Sequence, residues 1–81
     1  MCIAIIKNSE GIYKVDKIEC VYNEIIFTCG GNIKKEAYLS TGARKIAFEN
    51  IWGSILRGDK CIDLDLINKD GSVKFGFVRK S

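Results

Sequence analysis

Histidine and proline are both missing from this 81-residue chain, and only one tryptophan and one methionine are present. Without histidine, the chain cannot form a Ser-His-Asp or Cys-His catalytic set, nor a metal site with an imidazole ligand of its own. This absence excludes most enzyme classes. We therefore predict a protein that binds rather than catalyses.

Long apolar runs are missing as well. No segment approaches the ~18 apolar residues of a membrane helix, and the run from Cys2 to Ile6 is too short for a signal-peptide core. The remaining cysteines, Cys20, Cys29 and Cys61, form no Cys-x-x-Cys motif with Cys2 or with one another. A site in which all four thiols converge stays open. Free thiols fit a reducing compartment, so we expect a cytoplasmic protein with no membrane partner.

The charge balance is mildly basic. Thirteen basic and ten acidic residues give a net charge of +3, which is weaker than the dense basic footprint typical of phosphate binding. With 47% hydrophobic residues and no repeat or linker, the chain has enough material for one small core. Residues 1–81 are predicted to form a single domain.

Short runs rich in Ile, Val, Phe and Tyr alternate with glycine and asparagine turns, a spacing typical of an antiparallel sheet. The sequence predicts a mainly β fold, a small antiparallel barrel or sandwich of six or seven strands. The first strand, CIAII, is apolar at both odd and even positions and is predicted to be central in its sheet or covered on both sides. The apolar residue falls on an odd position at Val15 and on an even position at Ile18, so the apolar face of the strand changes between them. This change predicts a bulge or corner near Asp16–Lys17.

Two hairpins are predicted from apolar alternation on either side of turn residues. The first spans residues 24–39 and turns at Gly30–Asn32; its apolar rows are Ile25, Phe27 and Cys29, then Ile33, Ala37 and Leu39. The second spans residues 60–78 and turns at Asp70–Gly71, a pair that favours positive φ. Its apolar rows are Ile62, Leu64 and Leu66, then Val73, Phe75 and Phe77.

The stretch 41–58, TGARKIAFENIWGSILRG, fits two structures. As a helix it would begin at Thr41 and end at Gly58, with Phe48, Ile51, Trp52 and Ile55 on one face. Its glycine, asparagine, serine and three isoleucines are poor helix formers, however. The composition therefore favours a strand with a corner, and at most one short helix is expected near residues 42–57.

Cys2 directly follows the initiator methionine. Removal of Met1, the usual processing when a small residue follows, would leave a free α-amine beside the thiol of Cys2. These two groups close a five-membered chelate ring around a soft or borderline metal such as nickel, copper(I) or iron. The alternative is that Cys2 is one more apolar residue of the first strand.

The opening MCIAI resembles the N-termini of HypC-type hydrogenase-maturation chaperones and of CooT-type nickel proteins, both small, mostly β and cytoplasmic. Segments 30–39 and 56–64 resemble the HypC-type Gly-Gly strand and Gly-Asp turn, and IAFENI followed by CIDLDL is similar to the last CooT-type strands. The resemblance implies a metallocentre-assembly accessory protein in which Cys2 handles nickel or iron. Only Cys2 carries over, because Ile6-Lys7 replace the HypC-type Pro-Gly and the later histidine is missing.

Two other function classes rest on the residues alone. Aromatic anchors dominate protein interfaces, and this favours a protein-binding adaptor or phage-type inhibitor that uses Trp52, Arg57, Lys60, Arg44 and Lys45. A small single-stranded nucleic-acid-binding barrel would use similar residues, but Asp63 and Asp65 would repel phosphate. Trp52 is equally suited to core packing. We expect another protein as the partner, and edge strands without proline also allow a homodimer.

Overall fold

The computed structural model of the protein describes residues 2–77, which form six strands in two sheets and one long helix. The elements are β1 (Ala4–Asn8), β2 (Gly11–Val15), β3 (Lys17–Val21), β4 (Glu24–Cys29), β5 (Asn32–Ala37), α1 (Thr41–Arg57), β6 (Ile62–Asp63) and a 3₁₀ turn (Leu64–Leu66). The predicted mainly β fold is confirmed. The sheets, ordered β2-β1-β6 and β3-β4-β5, do not close into a barrel.

One hydrophobic core joins the two sheets and α1. Its largest fully buried apolar side chains are Phe27, Ile6, Ile25, Ile51, Ile62 and Val15. These residues come from β1, β2, β4, α1 and β6, so the core depends on elements from both halves of the chain.

Strand β1 lies in the middle of its sheet, as its two-sided apolar pattern predicts. It pairs antiparallel with β2, where Ile6 stands opposite Tyr13, and parallel with β6, where Ile6 stands opposite Ile62. The expected antiparallel arrangement is therefore wrong for β6, which runs parallel to β1. A parallel neighbour requires a long crossover, and here α1 lies within that crossover.

The chain passes from the first sheet to the second at Asp16, which confirms the predicted corner. The amide of Asp16 donates to the carbonyl of Thr28 at 2.8 Å, although Thr28 is already the register partner of Lys17. Two residues thus stand opposite one, the defining feature of a bulge. The Asp16 carboxylate also accepts a bond from the amide of Gly30 at 2.9 Å, which fastens the corner to the next turn.

The hairpin of β4 and β5 is confirmed, with Cys29 opposite Asn32 across the Gly30–Gly31 turn. Gly30 has a φ of +63°, the left-handed conformation that the first position of such a tight turn requires. The β4 row of Ile25, Phe27 and Cys29 is buried as predicted.

The predicted apolar row of β5 is wrong, because Ile33 and Leu39 are exposed and Tyr38 is buried. The register places Lys34 opposite Phe27 and Glu36 opposite Ile25, so the polar row of β5 shares the core face of β4. Long polar side chains can cover apolar surface while their charged ends reach partners. Lys34 lies 4.5 Å from the ring centre of Tyr13, and Glu36 pairs with Lys69 at 3.7 Å.

Residues 41–57 form a helix of 17 residues, so the favoured strand, and the expectation of only a short helix, are wrong. Strong caps at both ends explain the difference. The Ser40 hydroxyl accepts a bond from the amide of Ala43 at 3.0 Å, and Gly58 ends the helix in the left-handed conformation at a φ of 81°. Within residues 2–77 no helix is both long and apolar enough to cross a membrane.

The second predicted hairpin is largely wrong. Strand β6 has two residues and passes into the 3₁₀ turn, which Asp63 caps by accepting a bond from the amide of Asp65 at 3.1 Å. Among the described residues 60–77, one bridge of the predicted pairing forms, between Ile67 and Val73. Phe75 is fully exposed, although the alternation predicts that it shares a face with buried Phe77. Position 78 lies outside the described residues.

The Asp70–Gly71 turn does form, and it packs directly on α1. Gly71 has a φ of +91°, and its carbonyl accepts a bond from the side-chain amide of Asn50 at 3.0 Å. A Cβ atom at Gly71 would overlap the carbonyl oxygen of Ala43 and lie 2.8 Å from the Cβ of Ile46. Only glycine therefore lets this turn close over the helix.

Gly71→Ala is expected to lower the free energy of unfolding by about 3 kcal/mol, because the added methyl group meets backbone that cannot move aside. Gly58→Ala is the matched control, since Gly58 also has positive φ but nothing lies within 4 Å of the place that its methyl group would take. Its cost should be about 1 kcal/mol. Urea unfolding followed by circular dichroism measures both, and equal losses would contradict the close packing of Gly71.

Candidate functional site

The helix α1 carries apolar side chains on two opposite sides. Its buried side consists of Ala43, Ala47, Ile51 and Ser54. The other side carries an outer row, defined here as Phe48, Trp52 and Leu56, which lie four residues apart and therefore stand above one another. Trp52 is 42% exposed and Leu56 is 73% exposed.

The two aromatic rings of the outer row form a stack. The ring centres of Phe48 and Trp52 lie 6.1 Å apart, and the ring planes differ by 13°. Phe48 is half-buried and packs against the core, so the ring on which Trp52 stacks is itself held in place. A side chain with two χ angles that is also stacked loses little conformational entropy on binding. Trp52 is thus a preorganised aromatic anchor on the surface.

The five residues predicted for partner binding do not form one continuous face. Lys45 lies one turn before Phe48 on the outer side, and Trp52 is in the outer row itself. Arg57 and Lys60 lie beyond the other end of the row, at a cleft near the C-terminus of α1. Arg44 is half-buried, and its Nε donates to the carbonyl of Tyr22 at 3.0 Å. Basic groups are therefore present at both ends of the outer row.

The cleft beside Arg57 and Lys60 has a volume of about 580 Å³. Most of its charged groups bind one another: Arg57 pairs with Asp59 at 2.8 Å, and Lys7 pairs with Asp63 at 3.8 Å. The buried Ser54 hydroxyl donates to the Asp59 carboxylate as well. The two contacts of Asp59 hold the loop after α1 against the end of that helix, and the Lys7–Asp63 pair joins β1 to β6.

The tip of the β3–β4 hairpin presents a second exposed aromatic residue. Tyr22 is 81% exposed and has a φ of +54°, the one positive value for a non-glycine residue in the part of the chain that the structure describes. The hydrogen bond from Arg44 fixes this turn beside the first turns of α1. A tyrosine in the left-handed region is strained, so the fold holds it there against its local preference.

The cysteines do not converge. Cys2, Cys20 and Cys61 are exposed, and Cys29 is buried, where burial raises the pKa of its thiol. No group of three or more Cys, Asp, Glu or His side chains suited to a metal forms within residues 2–77. The Cys2 thiol lies ahead of β1 and contacts the carbonyl of Ala4 at 3.2 Å. The two-group chelate at Cys2 stays a prediction.

The predicted set of partner-binding residues omits Phe48 and Leu56. The signal that would have found them is the spacing 48-52-56, which aligns three large apolar side chains only if the segment is helical. Tyr22 has no such signal, because its backbone conformation depends on the register of the hairpin and on Arg44.

Comparison with known proteins adds no relative: no protein-family model, no curated protein and no solved structure matches the chain. The resemblance to HypC-type and CooT-type proteins therefore stays a prediction. The candidate site rests on the geometry of α1 and the Tyr22 turn.

Tyr22→Asn is expected to be more stable than Tyr22→Ala by about 0.5 to 1 kcal/mol, because asparagine tolerates the left-handed conformation and alanine does not. Both changes remove the same exposed ring, so their difference isolates the backbone strain. Thermal and urea unfolding provide the measurement. Equal stabilities would show that the Tyr22 backbone is not strained.

Proposed function

We propose that this protein is a non-enzymatic binding module that docks another protein on the outer row of α1. The observation that carries the proposal is the exposed pair of Trp52 and Leu56, with Trp52 stacked on the half-buried ring of Phe48. Tryptophan is among the residues that contribute most to binding energy at protein interfaces. Adjacent exposed apolar side chains are also a recurrent mark of an interaction surface.

The charges around the row favour an acidic partner. Lys45 lies toward its N-terminal end and Lys60 lies beyond its C-terminal end, where Arg57 is paired with Asp59. Glu49 is the one acidic residue of α1. A second copy docked by its own outer row would set these basic ends against each other in either helix orientation. An amphipathic helix with apolar residues at intervals of three and four and acidic residues on its flanks avoids that repulsion.

The nucleic-acid hypothesis has less support. The net charge of +3 is weaker than the dense basic footprint that is typical of phosphate binding. The proposal for a protein partner includes the reducing, cytoplasmic setting expected from the free thiols.

The single tryptophan of the chain lies in the proposed site and is a direct reporter. The probe is a synthetic helical peptide with leucine at intervals of three and four, glutamate on its flanks and no aromatic residue. We expect its titration to shift Trp52 emission to shorter wavelength, because docking removes the indole from water. The same peptide with lysine in place of glutamate should not bind.

Leu56→Ala should weaken binding of the glutamate peptide about tenfold, because it removes apolar contact next to the anchor. Ile12→Ala is the matched control, since Ile12 has a similar exposure on β2, away from the row. It should leave the affinity unchanged. Absence of any emission shift with the glutamate peptide, or equal binding of both peptides, would refute the proposed partner chemistry.

A second candidate function is metal handling by Cys2. The exposure of its thiol supports this candidate, because a thiol sealed in the core could not reach a metal. Binding would use the thiol and the freed α-amine after removal of Met1. No further side chain is assigned to the metal.

Intact mass measurement of the native protein should show loss of Met1, and anaerobic titration should then detect nickel or iron binding. Cys2→Ser is expected to weaken binding at least about tenfold, because thiolate is the soft ligand, whereas Cys20→Ser, at another exposed thiol, should not. Affinity should fall as the pH drops below about 8, because protons compete for an amine with a pKa of about 7.7–8.0. Retained Met1, or equal affinity of Cys2→Ser, would end this candidate.

A further inference from the structure

Strand β3 is a terminal strand of the β3-β4-β5 sheet. The Tyr22–Asn23 turn makes Val21 and Glu24 a hydrogen-bonded pair, and antiparallel ladders alternate between bonded and non-bonded pairs. The backbone groups of Ile18 and Cys20 therefore point away from β4. Across residues 2–77 no other strand pairs with this side of β3.

Two of the usual protections against pairing are missing on the open side of β3, although a bulge lies at Asp16 just before the strand. No proline interrupts the strand, and the side chains on its core-facing row, Ile18 and Cys20, carry no charge at neutral pH. Ile18 is only half-buried and packs at the margin of the core. A new strand along this edge would satisfy the outward backbone groups and complete the burial of Ile18.

The outward row of β3 is self-complementary. Lys17 and Glu19 lie on one face of the strand, with the Lys17 Nζ 3.5 Å from a carboxylate oxygen of Glu19. If two copies pair antiparallel about Ile18, Lys17 of each copy stands opposite Glu19 of the other. These are the non-hydrogen-bonded positions, where facing side chains come closest and opposite charges attract.

The other edge of the same sheet does not have this property. In β5 the backbone groups of Lys35 point outward, because the neighbouring Lys34 and Glu36 pair with Phe27 and Ile25 of β4. Self-pairing centred on Lys35 would place two lysines directly opposite each other, which is unfavourable. Charge complementarity therefore selects β3 over β5 for contact between identical chains.

We propose that two copies of this protein associate through antiparallel pairing of their β3 strands about Ile18, which joins the two β3-β4-β5 sheets into one continuous sheet. This surface is separate from the outer row of α1 and does not depend on the function proposed for that row. Since β3 has only five residues, the interface is small and the dimer should dissociate in the micromolar range or above.

Sedimentation velocity of the full chain, from about 5 µM to about 500 µM, should show a shift from monomer to dimer. Lys17→Glu and Glu19→Lys should each raise the dimer dissociation constant at least about tenfold, because each sets like charges opposite each other. The double exchange, K17E with E19K, should restore the wild-type constant because it re-forms both cross-strand ion pairs. A single exchange without effect, or a double exchange without recovery, would overturn the proposed register.

A backbone variant tests the edge without changing any charge. Cys20→Pro removes an N–H that points away from β4, so it should abolish the dimer while the circular dichroism spectrum of the monomer is kept. Cys20→Ser is its control and should dimerise like the wild type. A wild-type chain that stays monomeric over the whole range, or a Cys20→Pro variant that still dimerises, would overturn the proposal.

Discussion

The close approach of the Gly71 turn to α1 is the contact on which the closed core depends. Ala43 and Ala47 present only methyl groups on this side of the helix, and Gly71 presents no side chain, so backbone meets backbone. The Asn50 amide then bonds the Gly71 carbonyl. The residues on either side of this turn, Ile67 and Phe77 among them, are thereby held in the core with both sheets.

The side of α1 that faces the core carries small side chains, two alanines and a serine, together with one isoleucine. The larger residues at positions 48, 52 and 56 follow one another at intervals of four and lie on another side of the helix. Phe48 packs at the margin of the core, whereas Trp52 and Leu56 are exposed. The exposed apolar side chains of α1 and the strained Tyr22 turn beside the same helix are the two observations behind the proposed binding surface.

Local patterns were sufficient for part of the fold. Three predictions that depend on a few adjacent residues are confirmed. They are the central position of β1, the corner at Asp16 and the Gly30–Gly31 turn. The helix was not predictable from composition, because the caps at Ser40 and Gly58 outweigh several poor helix formers. Trp52 and Lys45 could be named as candidate residues in advance, but their placement relative to Phe48 and Leu56 required the helical geometry.

The amino-acid sequence alone excludes chemistry that needs an imidazole of this chain, because the chain has no histidine. The sequence also determines the strand-rich character, through the alternation of apolar and polar residues over short segments. Tertiary contacts decide the rest. The inward placement of Lys34, Glu36 and Tyr38 in place of Ile33 and Leu39 follows from pairing with β4, not from the hydrophobicity of β5. Likewise, Leu64–Leu66 form a 3₁₀ turn capped by Asp63, although this segment alternates like a strand. Side-chain and long-range contacts together outweigh the weak strand preference of such a short segment.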